Sequence, residues 1–285
     1  MRAIGDEVRA QLRRRLNGGV GMLPVEVPRA LDAAHYRPIK VDVGTLWMAA
    51  DDDVARPYME RRGTWEPEIG LVLKSFLKPG ARFLDIGANI GYFSVFASRT
   101  APGISIDAVE PDPTSIDALR MNLWANNVRA RVWPLALDDR ERSLVLRRTE
   151  HNRGDNRVRK INDTQAPSSD SDVVVPAIRG DTLFEGRSFD VVKIDVQGWE
   201  LEVLLGLQAT FSGSAGIHVV TEFYPSVLLE RARDPREVLA RYHELGYRVK
   251  VIVKEAAVEL SDAEIVAICA SAGADGQVNL VLSRA

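Results

Sequence analysis

From about residue 66 onward, short apolar runs alternate with segments of helical periodicity. Short apolar runs bounded by turn residues predict strands, and apolar residues spaced three and four apart predict helices. Strands that are apolar almost throughout are typical of parallel sheets covered on both faces. The predicted strands are 82–86, 104–110, 128–137, 189–196, 216–224, 247–254 and 277–283. We therefore predict an α/β fold, a Rossmann-like, doubly wound and mostly parallel sheet whose last two strands pair antiparallel at one edge.

Residues 1–63 are predicted to form an N-terminal extension ahead of a main domain at 64–285. Residues 3–16 carry apolar side chains four apart and predict an amphipathic helix, and 39–49 alternates like a strand pair. The helix is basic, but it lacks Trp and Phe and its apolar stripe is narrow, which disfavours a membrane surface. We expect it to pack within the protein or between two copies in a homo-oligomer.

Composition limits the class of protein. The chain has 285 residues, 46% hydrophobic and 27% charged, which is ordinary for a soluble globular protein. A net charge of -3 provides no general attraction to nucleic acid. No apolar run approaches the roughly 20 residues of a membrane span, and we read no signal peptide at the N-terminus. The expectation is a cytoplasmic protein without nucleic-acid or membrane partners.

The segment 147–182 interrupts the pattern with a long polar stretch. The runs "SLVLRR" and "DVVVPA" on either side of its centre predict a hairpin. Residues 147–160 hold six Lys or Arg against two acidic residues. The segment is predicted to be either a solvated loop or a cover on the substrate side of the site.

Four predicted strands end in polar signatures. They are "DIGANIG" (85–91), "VEPDP" (109–113), "IDVQGWE" (194–200) and "TEFYP" (221–225). In doubly wound sheets, ligands bind beyond the carboxyl ends of the strands. All four segments are therefore expected to surround one cleft.

The first two signatures indicate the ligand. A dinucleotide fingerprint requires G-x-G-x-x-G, but with Gly87 as the second glycine the chain places Asp85 and Ile90 at the other two positions. A carboxylate at Asp85 repels a pyrophosphate and suits an ammonium group, while Glu110 can accept both hydroxyls of a ribose. A ligand with an amino group, a ribose and no phosphate is S-adenosylmethionine. The alternative is that Asp85 caps the following helix and that the glycines only form turns.

Together with "WEPEI" upstream, the segments "FLDIGANIGYFS", "AVEPDP", "VKIDVQGWELEVL" and "VVTEFYP" resemble the FkbM-type methyltransferases. This resemblance implies a class I methyltransferase fold, S-adenosylmethionine as cofactor and methylation of hydroxyls on sugars or natural products. The cofactor contacts that it implies are Asp85, Gly87, Ala88, Asn89 and Gly91 at the methionine half, Glu110 and Pro111 at the ribose, and Ala136, Leu137 and Asp138 at the adenine.

The remaining strand ends offer catalytic groups. Asp195 ends the fourth predicted strand and Glu222 ends the fifth, so the two carboxylates could act as general base or hold Mg²⁺. His151, in the polar segment, is a third candidate base. Glu200 is interpreted as a structural residue at a helix start.

The leading functional prediction is an O-methyltransferase acting on a hydroxylated small molecule, such as a sugar or another natural product. One alternative is N-methylation of an amino sugar or peptide, which an acid-lined pocket would tolerate. The other is a non-catalytic binder of adenosine nucleosides. Cys269, the one cysteine, lies in an apolar stretch and is interpreted as a core residue.

Overall fold

The computed structural model describes residues 35–149, 156–160, 171–214, 216–273 and 275–284. The described strands are β1 (Tyr36–Val41), β2 (Gly44–Ala49), β3 (Arg82–Ile86), β4 (Ser105–Val109), β5 (Ala130–Trp133), β6 (Ala136–Asp138), β7 (Arg142–Arg147), β8 (Arg157–Lys160), β9 (Asp172–Arg179), β10 (Val191–Ile194), β11 (His218–Phe223), β12 (Arg248–Val253), β13 (Ala256–Val258) and β14 (Val278–Ser283). The described helices are α1 (Ala55–Arg62), α2 (Pro67–Phe76), α3 (Tyr92–Thr100), α4 (Pro113–Ala125), α5 (Gly180–Leu183), α6 (Glu200–Gly206), α7 (Gln208–Ser212), α8 (Pro225–Glu230), α9 (Pro235–Glu244) and α10 (Asp262–Ser271).

The central sheet has eight strands in the order β13-β12-β14-β11-β10-β3-β4-β5. Pairing is parallel from β11 through β10, β3 and β4 to β5, whereas β14 is antiparallel to both β11 and β12. This confirms the predicted Rossmann-like sheet and the antiparallel pairing of the last two predicted strands. The final strand lies inside the sheet, and the edge is the short antiparallel β13, which the sequence pattern did not reveal.

Both faces of the central sheet are buried. Along β3, Leu84 and Ile86 belong to one hydrophobic cluster, while Phe83 belongs to the cluster on the opposite face. Because successive side chains of a strand point to opposite faces, this division confirms that helices cover the sheet on both sides. Asp85 shares the face of Phe83.

The predicted single strand at 128–137 is wrong. The strand is interrupted at Pro134, which has no N–H to donate to a sheet ladder. A turn forms there, in which Leu135 N donates to Trp133 O at 2.9 Å. β5 ends the central sheet, whereas β6 pairs with β9 in a second sheet of order β6-β9-β7-β8.

The second sheet contains the predicted hairpin, since β7 and β9 pair antiparallel. It also contains β8, a strand within the stretch that the sequence pattern assigned to a polar loop. Residues 150–155 and 161–170 of that stretch, with His151, lie outside the described residues.

The predicted strand pair is confirmed as the antiparallel hairpin β1–β2. Asn122 on α4 anchors this hairpin, because its Oδ1 accepts from Trp47 N at 2.6 Å and its Nδ2 donates to Trp47 O at 3.0 Å. The helix predicted at 3–16 lies outside the described residues. Within the described ranges, no helix combines the length and apolarity that crossing a bilayer requires.

Candidate active site

A cavity of about 750 Å³ lies where β3, β4, β10 and β11 end. Its wall includes Asp85, Glu110, Asp195 and Glu222, one acidic residue from each of these strand ends. The position agrees with the rule that ligands bind at the carboxyl edge of an open α/β sheet. The four predicted strand-end signatures therefore meet at one site.

The turn after β3 forms the floor of this cavity. Gly87 has φ 75°, and a Cβ atom there would lie 1.9 Å from the Asp195 carbonyl oxygen, so only glycine allows this close approach. The N–H groups of Gly87 and Ala88 both donate to Val109 O, at 2.9 and 3.0 Å. The turn is thereby held against the ends of both neighbouring strands, β4 and β10.

Asp85 is only 1% exposed. Its Oδ2 accepts a hydrogen bond from Ser94 Oγ at 2.7 Å, in the first turn of α3. Burial raises the pKa of this carboxyl, and Lys193 nearby opposes the shift. The N-cap position of α3 itself belongs to Gly91, and a Cβ at Gly91 would lie 2.5 Å from Leu119.

Glu110 bridges two loops through its carboxylate. Its Oε2 accepts from Asn89 N and its Oε1 accepts from Asp112 N, both at 2.8 Å. Burial raises the pKa of Glu110 to about 8, although the two backbone N–H groups lower it. Each carboxylate oxygen can accept more than one hydrogen bond, so these contacts leave capacity for a ligand.

Asp195 follows β10 directly and is held from both sides. Lys193 Nζ donates to its Oδ2 at 2.8 Å, and Gln197 Nε2 donates to its Oδ1 at 2.9 Å. Its side chain remains 27% exposed. Asp195 is thus a carboxylate of fixed orientation that is open to the cavity.

Lys193 is a site residue that sequence reasoning missed. It is 3% exposed, its Nζ lies 4.6 Å from the ring centre of Phe93, and it stands beside Asp85 in the β3–β10 register. Although burial disfavours its charge, Asp195, Glu66 and Asp85 raise the pKa of Lys193 above its usual value. The available signal was a lysine in the middle of the apolar run "FDVVKIDV".

Glu222 lies on β11, deeper than Asp195, and is 7% exposed. Its Oε2 is buried and finds no hydrogen-bond partner among the described residues. Burial, followed by the charges of Asp195, Glu200 and Glu66, raises the pKa of Glu222 well above its usual value.

Glu66 is a second site residue that the sequence analysis did not predict. It immediately precedes α2, with a backbone φ of 41°, and burial raises its pKa to about 7.

The other predicted residues divide between cavity and core. Pro111, Ala136 and Leu137 line the cavity, as do Ala88 and Asn89. Gly91 and Asp138 do not line the cavity. Asp138 is fully buried, where it forms an ion pair with Arg142 and accepts a hydrogen bond from Trp199 Nε1 at 3.3 Å. Glu200 accepts from the N–H groups of Gly198 and Val196 at 3.0 and 3.3 Å, which is a structural role in the turn before α6.

The model of one protein family, the methyltransferase FkbM domain, matches residues 85–249, more than half of the chain. The chain belongs to the FkbM methyltransferase family. It therefore contains an S-adenosylmethionine-dependent methyltransferase domain, and the matched range begins at Asp85 and includes the ends of all four strands that form the cavity.

Two curated methyltransferases are similar to parts of the chain. The 31-O-demethyl-FK506 methyltransferase FkbM of Streptomyces tacrolimicus is 43% identical over 63 residues, which is 22% of this chain and 24% of that protein. The hexuronic acid methyltransferase AglP of Haloferax volcanii is 29% identical over 54% of this chain and 58% of that protein. The match covers about a quarter of the length of the Streptomyces relative and somewhat more than half of the length of the Haloferax relative.

Among solved structures, a putative rRNA-methylase from Clostridium thermocellum is similar with TM-score 0.49 and 8% identity, over 78% of this chain and 98% of that chain.

S-adenosylmethionine fits the residues of the FkbM-type cavity, whereas Mg²⁺ does not. Asn89 Oδ1 is buried without a hydrogen-bond partner in the described part of the chain, beside the turn that the cofactor would contact. For the metal, the Lys193 ammonium already neutralises Asp195. Across the described ranges, no group of three or more His, Cys, Asp or Glu side chains could hold a metal ion. The predicted use of Asp195 and Glu222 as Mg²⁺ ligands is not supported.

Three carboxyls with raised pKa values give the first testable prediction. Burial raises the pKa values of Glu66 and Glu200 to about 7 and that of Glu110 to about 8, from 4.5. Between pH 4.5 and 8 the folded state therefore binds more protons than the unfolded state, so stability falls as pH rises through this window. Denaturant titrations of the ligand-free protein at pH 5.5, 7 and 8.5 should give a decreasing free energy of unfolding.

A Glu200→Gln variant should show a shallower decrease, because one of these carboxyls is gone. Asp139, whose pKa the Arg140 guanidinium lowers to about 2, titrates below the window and does not disturb the comparison. A free energy of unfolding that increases from pH 5.5 to 8.5 would contradict the raised pKa values of these carboxyls in the folded protein.

Proposed function

We propose that the protein transfers the methyl group of S-adenosylmethionine to a hydroxyl of a sugar or another natural-product small molecule. The observation that carries this proposal is the position of Asp195. This carboxylate is fixed in orientation, open to the cavity, and lies on the strand next to β3, whose end carries the cofactor signature. An acceptor bound in the same cavity would lie between the cofactor and a base.

The proposed cofactor position follows the strand ends. Asp85 and Asn89 would hold the methionine half, Glu110 the ribose hydroxyls, and Ala136 and Leu137 the adenine. Asn89 Oδ1 supports this assignment, because it is buried without a partner among the residues that the structure describes and requires a donor such as an ammonium group. A carboxylate at Glu110, already held by two backbone N–H groups, presents a preorganised acceptor to a ribose.

When bound, S-adenosylmethionine supplies a methyl group on a positively charged sulfur. In the proposed mechanism, Asp195 would accept a hydrogen bond from the acceptor hydroxyl and take its proton as the oxygen forms the new bond to the methyl carbon; the carbon–sulfur bond would break in the same step, with S-adenosylhomocysteine as the leaving group. Lys193 and Gln197 hold the Asp195 carboxylate in place, so that acceptor and methyl group meet in line. Asp195 is preferred over Glu222 as base because its side chain is the more exposed of the two.

The charge of the cavity favours a neutral or cationic acceptor. Its described lining holds eight acidic side chains and two basic ones, namely Asp52, Asp53, Glu66, Glu68, Asp85, Glu110, Asp195 and Glu222 against Arg61 and Lys193. An acceptor carboxylate, such as that of a hexuronic acid, would be disfavoured, because the cavity already raises the pKa values of Glu66, Glu110 and Glu222 and so penalises further negative charge. A hydroxyl acceptor, which the name of the Streptomyces relative indicates for that protein, is compatible with it.

Cofactor binding is tested by Asp85→Ala and Glu110→Ala. Each variant should lose a charged hydrogen bond to S-adenosylmethionine, which costs about 1–3 kcal/mol and raises Kd about 5- to 150-fold. Isothermal titration calorimetry measures the change. Asp117→Ala, an exposed acid on α4 outside the cavity lining, is the matched control and should bind as the wild type does. Unchanged affinity in both cavity variants would remove the cofactor assignment.

A further inference from the structure

Two glutamates in the cavity have oxygens that the proposed mechanism does not use. Glu222 Oε2 and Glu66 Oε2 are both buried, and neither has a hydrogen-bond partner in the described part of the chain. Glu222 is 7% exposed and both residues line the cavity. Buried acceptors without donors are costly, so these two oxygens require a donor that a ligand would bring.

The topology separates Glu222 from the cofactor side. β10 lies between β3 and β11, so Glu222 and the cofactor signature are on opposite sides of Asp195. Neighbouring strands are about 4.8 Å apart, which puts the backbone of β11 roughly 10 Å from that of β3. Glu66 lies within electrostatic range of Glu222, Asp195 and Lys193. The two glutamates therefore belong to the part of the cavity that is left for the acceptor.

The chemistry of the two glutamates points to a cation. Among the residues that the structure describes, Lys193 is a cation close to Glu222, but its ammonium group already forms an ion pair with Asp195. A hydroxyl could donate one hydrogen bond, but the second of the two glutamate oxygens would still have no donor among the described residues. A protonated amine supplies three donors and a positive charge on one atom.

Amide side chains complete this part of the wall. Gln277 and Asn279 line the same cavity, and Asn279 is the register partner of Glu222 on β14. Amides can donate to and accept from sugar hydroxyls. Carboxylates beside amides form a surface that suits a ring bearing both an amine and hydroxyls.

We propose that Glu66 and Glu222 form a subsite for a protonated amine of the acceptor, so that the substrate class is aminated sugars or aminocyclitols. The inference rests on the proposed function: the subsite holds the amine while a neighbouring hydroxyl of the same ring faces Asp195. The raised pKa of Glu222 agrees with a carboxyl that lacks its counter-charge.

The test measures binding of matched probes to the full chain saturated with S-adenosylhomocysteine. The probes are D-glucosamine, 2-deoxystreptamine, D-glucose and N-acetyl-D-glucosamine, and Kd values come from ligand-observed NMR titration. We expect the two amines to bind at least tenfold more tightly than the two neutral sugars. Glu222→Gln and Glu66→Gln should each reduce that preference at least threefold, whereas exposed Glu185→Gln, outside the cavity lining, should retain it.

Three results would overturn the proposal: equal binding of glucosamine and glucose, an unchanged preference in both cavity variants, or methylation of the amine nitrogen when labelled S-adenosylmethionine is supplied. The last result would place the amine at Asp195 instead of between the glutamates. Calorimetry with S-adenosylhomocysteine distinguishes a failure of the amine subsite from a failure of the proposed methyltransferase function. Cofactor binding without amine preference refutes the subsite alone, whereas absent cofactor binding refutes the proposed function.

Discussion

An Asp195→Asn variant is expected to bind S-adenosylmethionine with wild-type affinity and to turn over at least about 100-fold more slowly. The substitution keeps the shape of the side chain but removes its ability to take a proton, and general base catalysis typically contributes 10²–10⁴-fold. Because the variant keeps the cofactor contacts and loses only the base, the loss should appear in kcat. The measurement is single-turnover transfer of a labelled methyl group, with calorimetry for the cofactor.

Asp190→Asn is the matched control for this variant. Asp190 immediately precedes β10, pairs with Arg82 at the surface, and is therefore separated from Asp195 by the length of the strand. Its variant should retain wild-type turnover. Near-wild-type turnover in Asp195→Asn would mean that catalysis depends on proximity of donor and acceptor alone.

Replacing Lys193 with methionine is expected to cause the largest loss of stability. Methionine has a similar length and no charge, so Asp195 and Asp85 lose their buried counter-charge. Removing one partner of a buried ion pair costs about 3–5 kcal/mol. Denaturant titration at pH 7 measures the free energy of unfolding, and exposed Lys74→Met on α2 should change it by less than about 0.5 kcal/mol.

The loss in Lys193→Met should depend on pH in a defined direction. The Lys193 ammonium lowers the raised pKa values of Asp85, Glu66 and Glu222. Without it these pKa values rise further, so the folded variant takes up protons at higher pH than the wild type. The stability difference should therefore shrink between pH 8 and pH 5, as these carboxyls become neutral. A difference that is independent of pH would show that Lys193 acts through packing instead of charge.

The strand ends of this protein could be predicted from the sequence because local rules determine them. Buried parallel strands are recognisable as apolar runs, and their carboxyl ends necessarily meet at one edge of the sheet. Asp85, Glu110, Asp195 and Glu222 were therefore correctly brought to one cavity. The Asp234 cap of α9 and the Ser261–Glu264 capping box of α10 are local in the same sense, since caps depend on residues close together in the sequence.

The pairing of charges across the site could not be predicted in the same way. Lys193 was visible as a lysine within an apolar strand, but its bond to Asp195 depends on side-chain rotamers and on the burial that the neighbouring strands impose. Glu66 reaches the cavity through a left-handed backbone conformation before α2. Asp138 was assigned to the adenine, yet pairing with Arg142 turns it into the core. The break at Pro134, by contrast, follows from the sequence itself, because proline has no N–H to donate to a sheet ladder.

The position of β14 determines the order in which the cavity can be completed. β14 pairs with β11 on one side and with β12 on the other, so the sheet remains open between these two strands until β14, which follows both in the sequence, inserts. Asn279 takes its place beside Glu222 in that same step. A chain emerging from the ribosome can thus assemble the strands that carry Asp85, Glu110 and Asp195 before the wall around Glu222 exists.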